Sequence, residues 1–230
     1  MIKKYLSIAV LAALLIPFFC SPGYSKQEQE EKVFNSKGNV PAGIFDSEGV
    51  MKFTVVKDIS TVEFEGHSFM HLYHGVTHDP EGFTTLSFAR PERATAEITI
   101  PVDSITGYAL GTEKSDLTKN IHMNLESDKF YVINLELLQV LPEKSGTGPG
   151  KRSYLAKGDL TIHGVTRPVI FTADMDVKGG YLHITGEYNS LNMRDYGVDP
   201  KPLFAIVKVS DVVDVRFDIY EELSKNDNSK

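Results

Sequence analysis

Cysteine is nearly absent from this chain. Cys20 is the only one, and it closes an apolar run near the N-terminus. The sequence after it can therefore form no disulfide, no zinc–cysteine centre and no cysteine nucleophile. Positive charge is also in deficit: 24 Lys and Arg stand against 31 Asp and Glu, a net charge of −7. An acidic chain without a basic stripe cannot neutralise phosphates, which drives most nucleic-acid affinity, so a nucleic-acid partner is excluded. No Gly-x-Ser-x-Gly, phosphate-loop or His-Glu-x-x-His pattern occurs, so the usual sequence signs of a hydrolase, nucleotide enzyme or metalloprotease are missing. Long segments of helical period are missing as well.

The apolar run, residues 6–19, follows Lys3 and Lys4 and is too short to span a bilayer comfortably. It has the shape of a secretory signal, with Gly23 and Ser25 as small residues ahead of a cleavage at Lys26. The expectation is a signal peptide over residues 1–25 and an exported, periplasmic protein. The alternative is a lipoprotein anchored through Cys20, against which bulky Phe19 precedes the cysteine. Residues 26–49 include the spacer Gln-Glu-Gln-Glu-Glu-Lys and read as a flexible charged segment, and residues 224–230 as a disordered tail.

What remains, residues 50–223, is rich in short β-branched and aromatic runs separated by turn signals. The clearest is residues 154–175. Tyr154, Ala156, Gly158, Leu160 and Ile162 alternate with polar neighbours, and after a corner of His163, Gly164 and the residues to Pro168, Val169, Phe171, Ala173 and Met175 resume the apolar face. Turns are expected at residues 78–82, 90–92, 144–152 and 178–180. Leu117, Ile121 and Leu125 recur at four-residue spacing and predict one short helix over residues 115–125. The fold class is all-β: an antiparallel barrel of about eight strands with one short helix.

Alternation also assigns the inward face. Phe53 with Val55, Val62 with Phe64, Ile98 with Ile100 and Val102, and Ile133 with Leu135 and Leu137 each share a side. Leu182, Ile184 and Tyr188 do the same, as do Val213, Val215, Phe217 and Ile219. Pattern alone is compatible with a filled core or with a ligand space, since a small barrel allows either. Ala96, Gly158, Ala173 and Gly186 stand on these apolar faces and predict room beside the large residues.

Residues 158–169, Gly-Asp-Leu-Thr-Ile-His-Gly-Val-Thr-Arg-Pro-Val, resemble the signature hairpin of the YceI-like family. Residues 96–105 resemble its central strand, residues 192–197 its Asn/Arg-x-Asp-aromatic-Gly corner, and residues 209–223 its closing strand. The resemblance covers most of residues 51–223. It implies a lipocalin-like periplasmic barrel that binds polyisoprenoid lipids without catalysis, although the chain has no tryptophan and so lacks the Gly-x-Trp mark of true lipocalins.

The resemblance implies that the inward residues Phe53, Phe64, Ile98, Ile100, Ile133, Leu135, Leu160 and Ile162 meet the ligand. It implies the same for Phe171, Ala173, Ile184, Tyr188 and Phe217, with Arg194 and Tyr196 at the polar head. The ligand would be a long-chain isoprenoid lipid or an isoprenoid quinone, transported or stored in the cell envelope. The competing readings are an enzyme acting on a lipid inside the barrel, and an envelope stress-response protein whose barrel is plugged.

Two polar groups have structural readings beside functional ones. His67, His71, His74 and His78 would share a helical face, but Gly66, Gly75 and Pro80 argue for strand. There, at ~3.3 Å per residue, His67 and His71 stand about 13 Å apart, too far to share an ion, so no metal site is expected. Arg194 and Asp195 read either as an ion pair stiffening a corner that Gly197 turns, or as a head-group contact. His163 is expected to fix the hairpin corner by a hydrogen bond.

Overall fold

The computed structural model describes Lys32 and residues 37–68, 72–143, 151–200 and 209–224. Cys20 and the expected signal segment lie outside the described residues, as do the 144–150 excursion and the 225–230 tail. The strands are β1 (Met51–Val55), β2 (Thr61–Ser68), β3 (Leu72–Thr77), β4 (Glu81–Leu86), β5 (Thr95–Pro101) and β6 (Thr106–Ala109). They continue as β7 (Thr112–Glu113), β8 (Val132–Pro142), β9 (Arg152–Ile162), β10 (Val165–Lys178), β11 (Tyr181–Asn192) and β12 (Val209–Leu223). The helix α1 (Ser115–Asn124) falls within the window expected from Leu117, Ile121 and Leu125.

Eight strands close an antiparallel ring in the order β1-β4-β5-β8-β9-β10-β11-β12, and β12 returns to β1 through Phe53↔Leu223. The other four extend from β12 through β2, β3 and β6 to β7. The extension exists because three chain segments each bend midway. Short 3-10 turns at Lys57–Ile59 and Val102–Ser104, and the bend at residues 78–80, separate β1 from β2, β5 from β6 and β3 from β4. Hydroxyls secure the bends: Ser60 donates to Val56 O, Ser104 donates to Pro101 O, and the Thr77 and Ser104 hydroxyls meet at 2.7 Å.

At the extended end β6 turns away from β8, and α1 covers its edge. Thr118 Oγ1 accepts from Gly107 N, and His122 Nε2 lies 2.8 Å from Ile105 O. Helix side chains thus take the place of the missing ladder, protecting an edge that would otherwise present unpaired backbone. Gly107 permits the approach, because a Cβ there would lie 2.7 Å from both Leu117 Cγ and Thr118 N.

The signature hairpin is tighter than the six-residue corner expected from sequence. His163 (φ 52°) and Gly164 (φ 74°) make the whole turn, and Ile162 pairs directly with Val165. Both central residues are left-handed, as a two-residue turn between twisted strands requires. Pro168 therefore lies inside β10, opposite Asp159. β11 pairs with β10 only from Thr172 onward, so the missing Pro168 N–H costs no ladder bond on that side.

The expectation of a flexible segment over residues 26–49 needs correction for residues 37–49. Val40 and Ile44 are buried in one cluster with Phe53, Phe88 and Leu182. Gly38 N donates to Gly179 O and Val40 N to Gly180 O, while the Asn39 amide exchanges hydrogen bonds of 2.7 Å with both Leu223 backbone groups. Arg152 holds Phe45 O at 3.0 Å and lies over its ring, which meets Phe88 edge-on. The segment is an ordered strap across the end of the barrel opposite α1. Its charged beginning gave no sign of this, because only the barrel opening creates the apolar surface that Val40 and Ile44 cover.

Candidate functional site: two apolar cavities in the barrel

The inward faces do not meet in a filled core. They enclose two cavities of about 160 Å³ each. The first lies at the helix end, between Phe64, Tyr73, Ile100, Ile105 and Ile133, with Leu117, Asn120, Ile121 and Asn124 of α1 over it. The second lies toward the strap and is walled by Ala94, Ala96, Ile98, Ala156, Phe171, Ala173, Met175, Ile184, Phe217 and Ile219.

Parity along the strands shows where the two spaces meet. Val62 lines both. On β8, Ile133 faces the first and Leu137 the second, with Leu135 between; on β9, Leu160 and Ala156 are divided by Gly158. Val215 and Phe217, consecutive inward residues of β12, face opposite cavities. The rings of Phe171 and Phe217 meet edge-on at 5.7 Å beside this level. The two cavities thus succeed each other along the barrel and are divided at a waist of side chains.

Of the residues singled out from sequence, Phe64, Ile100, Ile133, Leu160, Ile162 and Tyr196 line the first cavity. Ile98, Phe171, Ala173, Ile184 and Phe217 line the second. Phe53, Leu135, Tyr188 and Arg194 line neither. Phe53 is fully buried in the cluster under the strap, and Tyr188 packs beside Leu191, Tyr196 and Val213. Arg194 points outward and is half exposed, pairing with Asp211 at 2.7 Å and Asp199 at 2.9 Å. The ion pair at the corner thus involves these two carboxylates and not Asp195, whose backbone O accepts from Arg167 Nε. Gly197 does turn the corner, with φ 73°, and Asn192 accepts from Arg194 N.

The room expected beside small residues divides in two. Ala96 and Ala173 border the second cavity. Gly158 and Gly186 serve the protein's own packing: a Cβ at Gly186 would lie 2.4 Å from Phe217 Cζ, and one at Gly158 2.6 Å from Glu136 O. The Phe217 ring takes the space that Gly186 leaves.

Polar groups in the walls are few. In the first cavity Asn120 accepts from the Asn124 amide, and burial raises the Tyr196 phenol to about 12. Burial raises the Tyr73 phenol as well. In the second, Tyr154 is likewise raised by burial, and Glu221 is fully buried. Thr84 donates to Glu221 Oε1 at 2.8 Å, whereas Oε2 meets no hydrogen-bonding group among the described residues. Loss of solvation lifts this carboxyl to about 7, with the Thr84 hydrogen bond acting in the opposite direction. Sequence reading stopped the inward face of β12 at Ile219, although the same parity continues to residue 221. Asn120 and Asn124 carried a signal too: they stand four apart on the predicted helix, one turn on the same side.

The histidine run falls partly outside the described residues: His71 does, and nothing is described of the His67 side chain. His74 points away from the cavities but is buried with Glu63 and Glu65, its Nδ1 2.7 Å from the first and 3.8 Å from the second, and His78 meets Thr61 Oγ1 at 3.0 Å. Among the described residues no group of three or more His, Cys, Asp or Glu is placed to hold a metal. The His163 ring meets Phe130 at 4.4 Å with a tilt of 55°, and its Nε2 lies 3.4 Å from Glu126, so the hairpin tip packs against the turn after α1.

Comparison with known proteins agrees with this architecture. Over residues 53–220 the chain matches the model of the YceI-like domain. It is 28% identical to a UPF0312 protein of Pseudomonas fluorescens, over 67% of this chain and 75% of that one. A UPF0312 protein of Pseudomonas syringae pv. tomato is 25% identical over the same shares. Among solved structures, Burkholderia cenocepacia BcnA superposes with a TM-score of 0.58 at 18% identity, covering 72% of this chain and 98% of that one. A polyisoprenoid binding domain from Saccharophagus degradans superposes with a TM-score of 0.56 at 15% identity, covering 76% and 99%. Such distant structures share the fold, and the match over residues 53–220 adds the lineage: this chain belongs to the YceI-like family.

Proposed function

We propose that the protein binds a long-chain isoprenoid lipid inside its barrel, without chemical conversion, and carries or stores it in the periplasm after export. The observation that carries this reading is the pair of apolar cavities that succeed each other inside a closed ring. A single apolar cavity of ~150 Å³ accepts a molecule the size of benzene. Two such spaces in line suit a chain of repeated branched units, and shifts of Phe171 and Phe217 would join them. Each buried methylene contributes about 0.8 kcal/mol, so an isoprenoid tail gains greatly by leaving water, although ordering costs lower the net affinity. The polyisoprenoid ligand class of the Saccharophagus domain supports the choice of lipid. The basic and apolar N-terminus supports export, with Cys20 as a second means of attachment.

Among the described residues the walls are apolar apart from a few polar groups, which favours binding over catalysis. Lipid extraction and mass spectrometry of protein purified from its native envelope tests the proposal. The expected result is one equivalent of unmodified isoprenoid lipid. A converted lipid would favour an enzyme, and a protein that carries none and takes up none would overturn the reading.

A further inference from the structure

We propose that Glu221, with Thr84, forms the subsite for the ligand's polar end, and that this end is an uncharged oxygen, a hydroxyl or a carbonyl. The inference rests on the lipid-binding reading above and adds where the head lies and what it is.

Among the described residues Glu221 is the only charged one bordering the second cavity, and Tyr154 the only other titratable one. Its neighbours on the flanking strands are Leu182 of β11 and Val55 of β1, and Thr84 reaches it from β4. None of these carries a charge. A carboxyl left with an unpartnered oxygen in an apolar space is costly, and such groups are rare in folded proteins. Here one oxygen is fixed by Thr84 and the other is left for an incoming group.

The chemistry of the carboxyl selects that group. Protonated, Glu221 donates to a carbonyl oxygen; ionised, it accepts from a hydroxyl. A phosphorylated end would bring negative charge against a carboxyl with no cation among the lining residues to balance it. The strap stands at the same end, where Val40 and Ile44 belong to the cluster that includes the lining residues Tyr154 and Met175. The head therefore lies at the strap end, and the tail extends past the waist toward α1.

Four probes share one twenty-carbon isoprenoid tail or its equivalent: geranylgeraniol, menaquinone-4, geranylgeranyl diphosphate and the hydrocarbon phytane. Their affinities for the full-length protein, measured by equilibrium dialysis, test the subsite. The wild type is expected to bind geranylgeraniol or menaquinone-4 about tenfold more tightly than phytane, the worth of one net hydrogen bond, and the diphosphate more weakly than either. Glu221→Leu should abolish the preference while phytane still binds. The two neutral heads separate by pH: menaquinone-4 needs the carboxyl proton and weakens above pH 7, whereas geranylgeraniol does not.

Glu221→Gln should make menaquinone-4 binding independent of pH, and this holds as a test even if Glu221→Leu does not fold. Equal wild-type affinity for phytane and both neutral heads, or a preference surviving in Glu221→Leu, overturns the subsite and leaves lipid binding standing. Tightest binding of the diphosphate overturns it too. Failure of all four probes to bind overturns the lipid reading itself.

Discussion

The two ends of the barrel solve one problem by different means. Both begin with strands whose inward residues alternate, and both must cover an apolar space. At one end α1 lies over the first cavity and bonds to the β6 backbone through Thr118 and His122. At the other, the strap inserts Val40 and Ile44 beneath Phe53 and is tied to Gly179, Gly180 and Leu223. The helix brings amides to the lip of its cavity; the strap leaves a single carboxyl in an apolar wall. Covering by a helix keeps polar groups near the space, while plugging by an apolar strap makes any remaining polar group conspicuous.

The comparison is broken most severely at Phe53. Phe53→Ala should cost about 3–5 kcal/mol in urea unfolding, because a fully buried ring is lost from the cluster under the strap. Binding of a short apolar probe at the helix end should survive wherever the variant remains folded.

The next effect is in pH. Folding raises the Glu221 pKa from an ordinary 4.5 to about 7, so the folded state holds the proton more tightly. Its stabilising contribution is full below pH 4.5 and is lost as pH rises through 7. The loss is about 3 kcal/mol at 1.36 kcal/mol per unit of pKa. Glu221→Gln should flatten this part of the pH–stability curve, and an unchanged slope would assign the dependence elsewhere.

At the opposite end, Gly107→Ala forces a methyl into Leu117 and the backbone of Thr118. A loss of about 1–3 kcal/mol is expected, with faster hydrogen exchange confined to α1 and β6. The smallest change in stability should come from Ala173→Leu, which fills empty space in the second cavity. Its denaturation midpoint should move little while lipid occupancy falls; a large destabilisation with occupancy unchanged would mean that Ala173 borders packed core instead.

Much of this architecture was legible in the residues. Alternation along residues 154–175 located β9 and β10, and the spacing of Leu117 and Ile121 located α1. What escaped was set by long-range contacts. Val40 and Ile44 flank Pro41 and Gly43 in no repeating pattern, and their burial depends on strands far along the chain. The glycines misled for a related reason: whether Gly186 makes a cavity or a seat for Phe217 depends on a side chain from the next strand. Glu221 had the correct parity, but a glutamate at the end of an apolar face reads as the point where the core stops.

The bends at Lys57–Ile59, residues 78–80 and Val102–Ser104 have a common consequence. They cross three neighbouring strands near the level of Val62 and Ile100, so the wall is creased there while β8 to β12 run through uncut by such turns. The barrel thus sets a back of strands that run through against a front folded at one level, close to where the two cavities divide.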